Sequence, residues 1–151
     1  MLKGWSEYAV LPLRVALALI FIVHGSQTLF GVFGGYGLAS TGNYFASYGL
    51  IPGEFWAAIS GLLGLFGGIA LLVGVLTRWI AGAMAIEMIV SLVCINLRAG
   101  FSATRGGVEL PLILLASLLS LVLQGPQHLA VDEHLPRWSG YLPSHQRKVR
   151  A

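Results

Sequence analysis

FWAAISGLLGLFGGIALLVGVLTRWIAGAMAIEMIVSLVCINL, residues 55–97, decides the fold class. It is apolar from end to end, carries one basic residue, Arg78, and one acidic residue, Glu87, and is about twice as long as the roughly 20 residues that cross a bilayer. It therefore reads as two spans, 55–77 and 79–97, divided at Thr77-Arg78-Trp79, where a cation and an aromatic ring suit a tight turn at the lipid surface. Working outward, a third apolar segment precedes it at 11–30, interrupted by Arg14, His24 and Gln27. A shorter one follows at 109–124, ended by Gly125-Pro126, because proline has no N–H with which to continue a helix. These segments predict an all-α, polytopic membrane four-helix bundle over residues 1–135, followed by a basic tail at 136–151.

Composition agrees. Of 151 residues, 56% are hydrophobic and 10% charged, with a mean hydropathy of +0.80. Soluble domains carry about 25% charged residues, and disorder needs low hydrophobicity, so both classes are disfavoured. Cys94 is the single cysteine, which excludes an intramolecular disulfide, a CxxC pair and a thiolate cage. His24 is the only histidine in a span, so the histidine pair that holds a haem between helices is missing. Neither a nucleotide loop nor a metalloprotease or hydrolase motif is present. The reading includes no metal, no intrinsic cofactor and no nucleic-acid partner. The first segment does not read as a cleaved leader, since it lacks a small-x-small site and contains Arg14, His24 and Gln27.

Orientation follows from the cations. Lys3, Arg14, Arg78, Arg137, Arg147, Lys148 and Arg150 fall on one side of a four-span chain, and Arg98 and Arg105 on the other. The positive-inside rule then predicts both termini in the cytoplasm of a plasma membrane. The segment 31–54 has no Lys or Arg and holds Phe33, Tyr36, Tyr44, Phe45 and Tyr48. It is expected to lie along the interface as an aromatic belt or a functional lid, with one short helix around Gly42 to Tyr48.

Ionisable groups at membrane depth cost about 3 kcal/mol or more, so they are the pointers to function. At 1.5 Å per residue His24 lies about 15 Å beyond Arg14, just past the midplane, and Glu87 is central in its own span. The two come to similar depth and meet if the first and third spans face each other. Such a pair would share a proton at the head of a lipid-soluble ligand such as a quinone, with Gln27 one turn beyond His24; the plainer reading is helix packing. Arg14 has a prospective ion-pair partner in Asp132, or reaches lipid phosphate, and Arg98 with Glu109 is expected to form a partly exposed ion pair. Gly61, Gly64 and Gly68 load the second span. The GxxxG of Gly64 and Gly68 suits close packing inside the bundle or against a partner.

The order of motifs resembles the DoxX family of small four-helix membrane proteins. Leu13-Arg14-Val15-Ala16-Leu17 with Phe21-Ile22-Val23-His24-Gly25 comes first. Tyr44-Phe45 with Gly49-Leu50-Ile51-Pro52 follows, then Gly67-Gly68, Leu71, Gly74 and Thr77-Arg78. Gly100-Phe101, Gly106-Gly107-Val108-Glu109 and Gly125-Pro126 lead on to Asp132. The chain departs from many members in having Gly64 where they carry an acid, Asn96 near where they carry a histidine, and its own acid at Glu87. The resemblance implies a prokaryotic plasma-membrane protein tied to redox metabolism, with relatives linked to thiosulfate:quinone oxidation and to membrane oxidoreductase complexes. The leading expectation is an accessory or anchoring subunit of a larger membrane complex, or a homo-oligomer. A quinone-binding oxidoreductase subunit using His24 and Glu87 is the alternative, and a small transporter the weaker one.

Overall fold

The computed structural model describes residues 10–125 and is helical throughout, with no strand among them. Helix α1 (Leu11–Phe30) starts with Pro12 in its first turn, where a missing N–H costs nothing, and stops at Gly31 in the left-handed region (φ 69°). Helix α2 (Gly37–Ser47) is short and polar-aromatic, and it begins earlier than the Gly42–Tyr48 stretch expected. Helix α3 (Gly53–Val73) carries Glu54 in its first turn, where the helix dipole favours an anion. Helix α4 (Thr77–Cys94) and helix α5 (Glu109–Gln124) follow, separated by 3-10 turns at Asn96–Ala99 and Ala103–Arg105.

The hairpin break differs from the one expected. Thr77-Arg78-Trp79 forms the first turn of α4, and the chain reverses at Gly74–Leu76, with Gly74 (φ 79°) and Leu76 (φ 48°) both left-handed. A glycine that ends a helix by its backbone conformation outweighs a cation that merely sits at the lipid surface.

Helix α1 packs chiefly on α3, α4 on α5, and α2 on α3, while α3 touches α4 and α1 touches α5. The order around the bundle is thus α1, α3, α4, α5, with α1 and α4 on a diagonal. Leu17, Phe21, Leu71, Met84, Leu118 and Leu121 fill the shared core.

Helix α3 shows which solvent the fold is built for. Apart from Leu71 near its end, its buried positions are small, among them Ala57, Ser60, Gly61, Gly64, Gly67 and Gly68. Its large side chains Ile59, Leu62, Phe66 and Ile69 point outward. In water this arrangement would be inside out, whereas in lipid, which gives no hydrophobic reward for burying Leu or Phe, close packing of small residues is what joins helices. Three helices, α1, α3 and α4, are long and apolar enough to cross a membrane, and α5 is a shorter apolar helix. The chain is a helical membrane protein.

Candidate functional site

Between α1 and α2 lies a cleft of about 640 Å³, lined on the α1 side by His24, Gln27 and Thr28 and on the α2 side by Ser40, Thr41, Tyr44 and Phe45, with Tyr36 at the entry to α2. Spacings of three and four put His24, Gln27 and Thr28 on one face of α1. The connection after α1 folds back over that face. Gly31, Phe33, Gly34 and Gly37 all have positive φ, and a Cβ on Gly35 would come within 2.5 Å of the Gln27 Cα. The Gln27 Nε2 donates to the Phe33 carbonyl at 2.9 Å, tying the loop to the helix end. His24 and Gln27 therefore line one cleft, on the shared helix face their spacing suggested, and one Gln27 N–H is occupied in holding the loop.

Glu87 is elsewhere. Its Oε1 accepts a short hydrogen bond from the Ser60 hydroxyl of α3, and its Oε2 is buried without a hydrogen-bond partner among the described residues. The pairing of His24 with Glu87 is not formed, because the bundle sets α1 and α4 on a diagonal and places α3 beside Glu87 instead. Sequence reasoning missed Ser60, since a serine in an apolar span carries no sign of what it faces.

The Arg98–Glu109 ion pair is also not formed. Glu109 accepts from the Ala103 N–H at 3.0 Å, capping the 3-10 turn ahead of its own helix, and the Arg98 guanidinium lies over the Tyr48 ring at 5.9 Å from its centroid. A backbone N–H six residues away is reached without ordering two long side chains, which is the cost of a surface ion pair. Arg14 is buried in the bundle with 1% of its surface exposed, so it does not reach out to lipid phosphate. Its expected partner Asp132 and the basic tail lie outside the described residues.

The glycine stripe is used within the chain. A Cβ on Gly64 would sit 3.2 Å from the Gly25 Cα, and one on Gly68 would sit 2.9 Å from the Ala18 carbonyl oxygen, while Gly61 faces the Leu29 side chain. The GxxxG face is thus covered by α1 and offers nothing to a partner protein.

Of the cleft's other hydroxyls and rings, Tyr36 and Tyr44 were legible as part of an aromatic belt or lid, and Ser40 and Thr41 carried no signal along the chain. Tyr44 is held above the ordinary tyrosine range, first by burial and then by its hydrogen bond with the neighbouring Tyr48 hydroxyl. Among the described residues no three His, Cys, Asp or Glu side chains are grouped as metal ligands.

A helical membrane bundle with a cleft beside its first helix, lined by an apolar surface with a few polar side chains, is the class that fold and site define. The DoxX family model matches residues 9–97, and the chain belongs to that family. It is also similar to the protein named "Putative oxidoreductase CatD" of Bacillus subtilis (strain 168), with 32% identity over 126 residues, covering 83% of this chain and 86% of that one. No solved structure matches it.

Proposed function

We infer that this chain is a redox-linked plasma-membrane protein that binds the head group of a lipid-soluble carrier of the quinone class in the cleft between α1 and α2. The observation that carries the reading is the cleft itself. It joins His24, Gln27, Thr41 and Tyr44 beside a helix that is apolar enough to cross the membrane. Membrane pockets of this kind suit a flat ring with polar oxygens and an apolar tail, because the tail stays in lipid while a few placed donors orient the head. The name of the Bacillus relative supports the link to oxidoreduction.

Reduction of a quinone to its quinol adds two electrons and two protons. The reading assigns the electrons to a partner oxidoreductase subunit. It assigns to this chain the binding of the head; both protons are taken from water at the mouth of the cleft, one of them relayed through His24 to the ring oxygen beside it. Glu87, on the opposite diagonal helix, has no part in it. Four crossings, with both termini and the α3–α4 turn in the cytoplasm, complete the proposal and place the cleft toward the outer face.

The test is binding of a short-tailed benzoquinone to the full chain in nanodiscs. Wild-type protein should bind saturably, and His24→Ala should weaken binding about tenfold, equivalent to about 1.4 kcal/mol. Equal binding by the two would remove His24 from the site. A second reading, as an accessory subunit docked on a larger redox complex, draws on the exposed Phe30, Phe33 and Tyr36. It predicts that polar substitutions at Phe30 and Phe33, which do not line the cleft, release a co-purifying subunit without altering quinone binding.

A further inference from the structure

Tyr44 lines the cleft from the last turn of α2 and stands four residues before Tyr48, which caps the end of that helix. Their rings are 5.0 Å apart and tilted by 59°, within the range of favourable aromatic pairs. Arg98 lies over the far ring, at 5.9 Å from the Tyr48 centroid, a distance at which a cation is drawn to a ring face. Arg98 is itself well placed to act as a fixed point. It sits in the 3-10 turn that Asn96 anchors, donating through Nδ2 to the Gly106 carbonyl at 2.7 Å and accepting from the Ser91 hydroxyl at 3.0 Å. A continuous run of contacts therefore reaches from the α4–α5 connection, through Tyr48, to the hydroxyl-bearing wall of the cleft.

We propose that Tyr44 is the second oxygen-recognising group of this cleft, donating its O–H to the ring oxygen opposite the one held at His24, and that Tyr48 and Arg98 are positioning residues that fix the Tyr44 ring. This rests on the quinone-head reading above and goes beyond it by naming what makes the cleft choose a ring with two oxygens. A phenol offered as a neutral donor suits a carbonyl or quinol oxygen. Unlike Gln27, Tyr44 does not hold the loop; its O–H is shared with the Tyr48 hydroxyl and turns from it to the ring oxygen when the head enters.

The experiment compares two probes on the full chain in nanodiscs, the short-tailed benzoquinone and a cyclohexenone of equal tail length, which has a single oxygen. Wild-type protein should prefer the two-oxygen probe by about tenfold, and Tyr44→Phe should abolish the preference by weakening only that probe. Arg98→Ala should reduce the preference several-fold, with Arg98→Lys restoring most of it, since a lysine ammonium can occupy the same ring face. If the benzoquinone binds and His24→Ala weakens it, yet Tyr44→Phe leaves the preference intact, this assignment is overturned and the quinone-head reading stands. Equal affinity of the wild-type protein for both probes overturns the assignment without recourse to any variant. If the wild-type chain binds neither probe, the quinone-head reading fails and takes this assignment with it.

Discussion

Ser60 is the one hydrogen-bond partner that Glu87 has among the described residues, and Ser60 is itself buried at 8% exposure. Ser60→Ala would leave both carboxyl oxygens unpaired inside the bundle, and an orphaned buried acceptor costs about 1–3 kcal/mol. The expected result is a loss of that size in reversible detergent unfolding, largely recovered in the double variant Ser60→Ala with Glu87→Leu, where no polar atom remains to be satisfied. An unchanged midpoint for the single variant would show that the bond contributes nothing. Tyr44 gives a second expectation at this scale. Because its folded pKa is raised, the neutral form is favoured by folding, so its contribution is present below about pH 10 and lost as pH rises through the elevated value. An ultraviolet phenolate titration should therefore show a late component, above the ordinary tyrosine range, that disappears in Tyr44→Phe.

At the scale of the element, α3 carries the clearest consequence. A Cβ on Gly68 would meet the Ile22 Cγ1 at 2.8 Å and the Ala18 carbonyl oxygen at 2.9 Å, and backbone cannot move aside as a flexible side chain can. Gly68→Leu should destabilise the protein by about 1–3 kcal/mol or more, through overpacking against α1. Leu62→Ala, on the exposed face of the same helix, should change stability by no more than about 0.5 kcal/mol. The Gly68 loss should not vary with protein concentration when unfolding is followed in micelles, since both helices belong to one chain. A concentration-dependent loss would restore the intermolecular reading of the GxxxG. The glycine spacing announced close helix contact; which helix would make it was not in the spacing, because any neighbour with a small residue at the crossing would serve.

For the molecule as a whole, the cation distribution and the up-and-down order of helices place the cleft and Tyr36 at the end opposite the α3–α4 turn. A cysteine introduced as Tyr36→Cys in a Cys94→Ser background should react with a membrane-impermeant maleimide from outside intact cells, and one introduced as Arg78→Cys only after lysis. The reverse pattern would invert the topology and move the cleft to the cytoplasmic face. The diagonal relation of α1 and α4 also decides how the polar groups divide. His24 joins Gln27 and the α2 hydroxyls, Glu87 joins Ser60, and Arg98 joins Tyr48. Of these groupings only the proximity of His24 and Gln27 was visible along the chain, because the two share a helix.

Hydropathy and glycine content were enough, unaided, to establish a helical membrane protein, since the length of an apolar run is a direct measure of what it can cross. The limits of the first and last helices, Leu11–Phe30 and Glu109–Gln124, were also readable, because Gly31 and Gly125 terminate helices locally. Which helices touch was for the tertiary structure to decide. Depth along a span follows from counting residues, but the azimuth of one helix around another depends on the packing of small residues and on connection lengths. That is why two ionisable residues expected at similar depth came to rest on a diagonal, and why a stretch read as an interfacial belt or lid supplies one wall of the cleft.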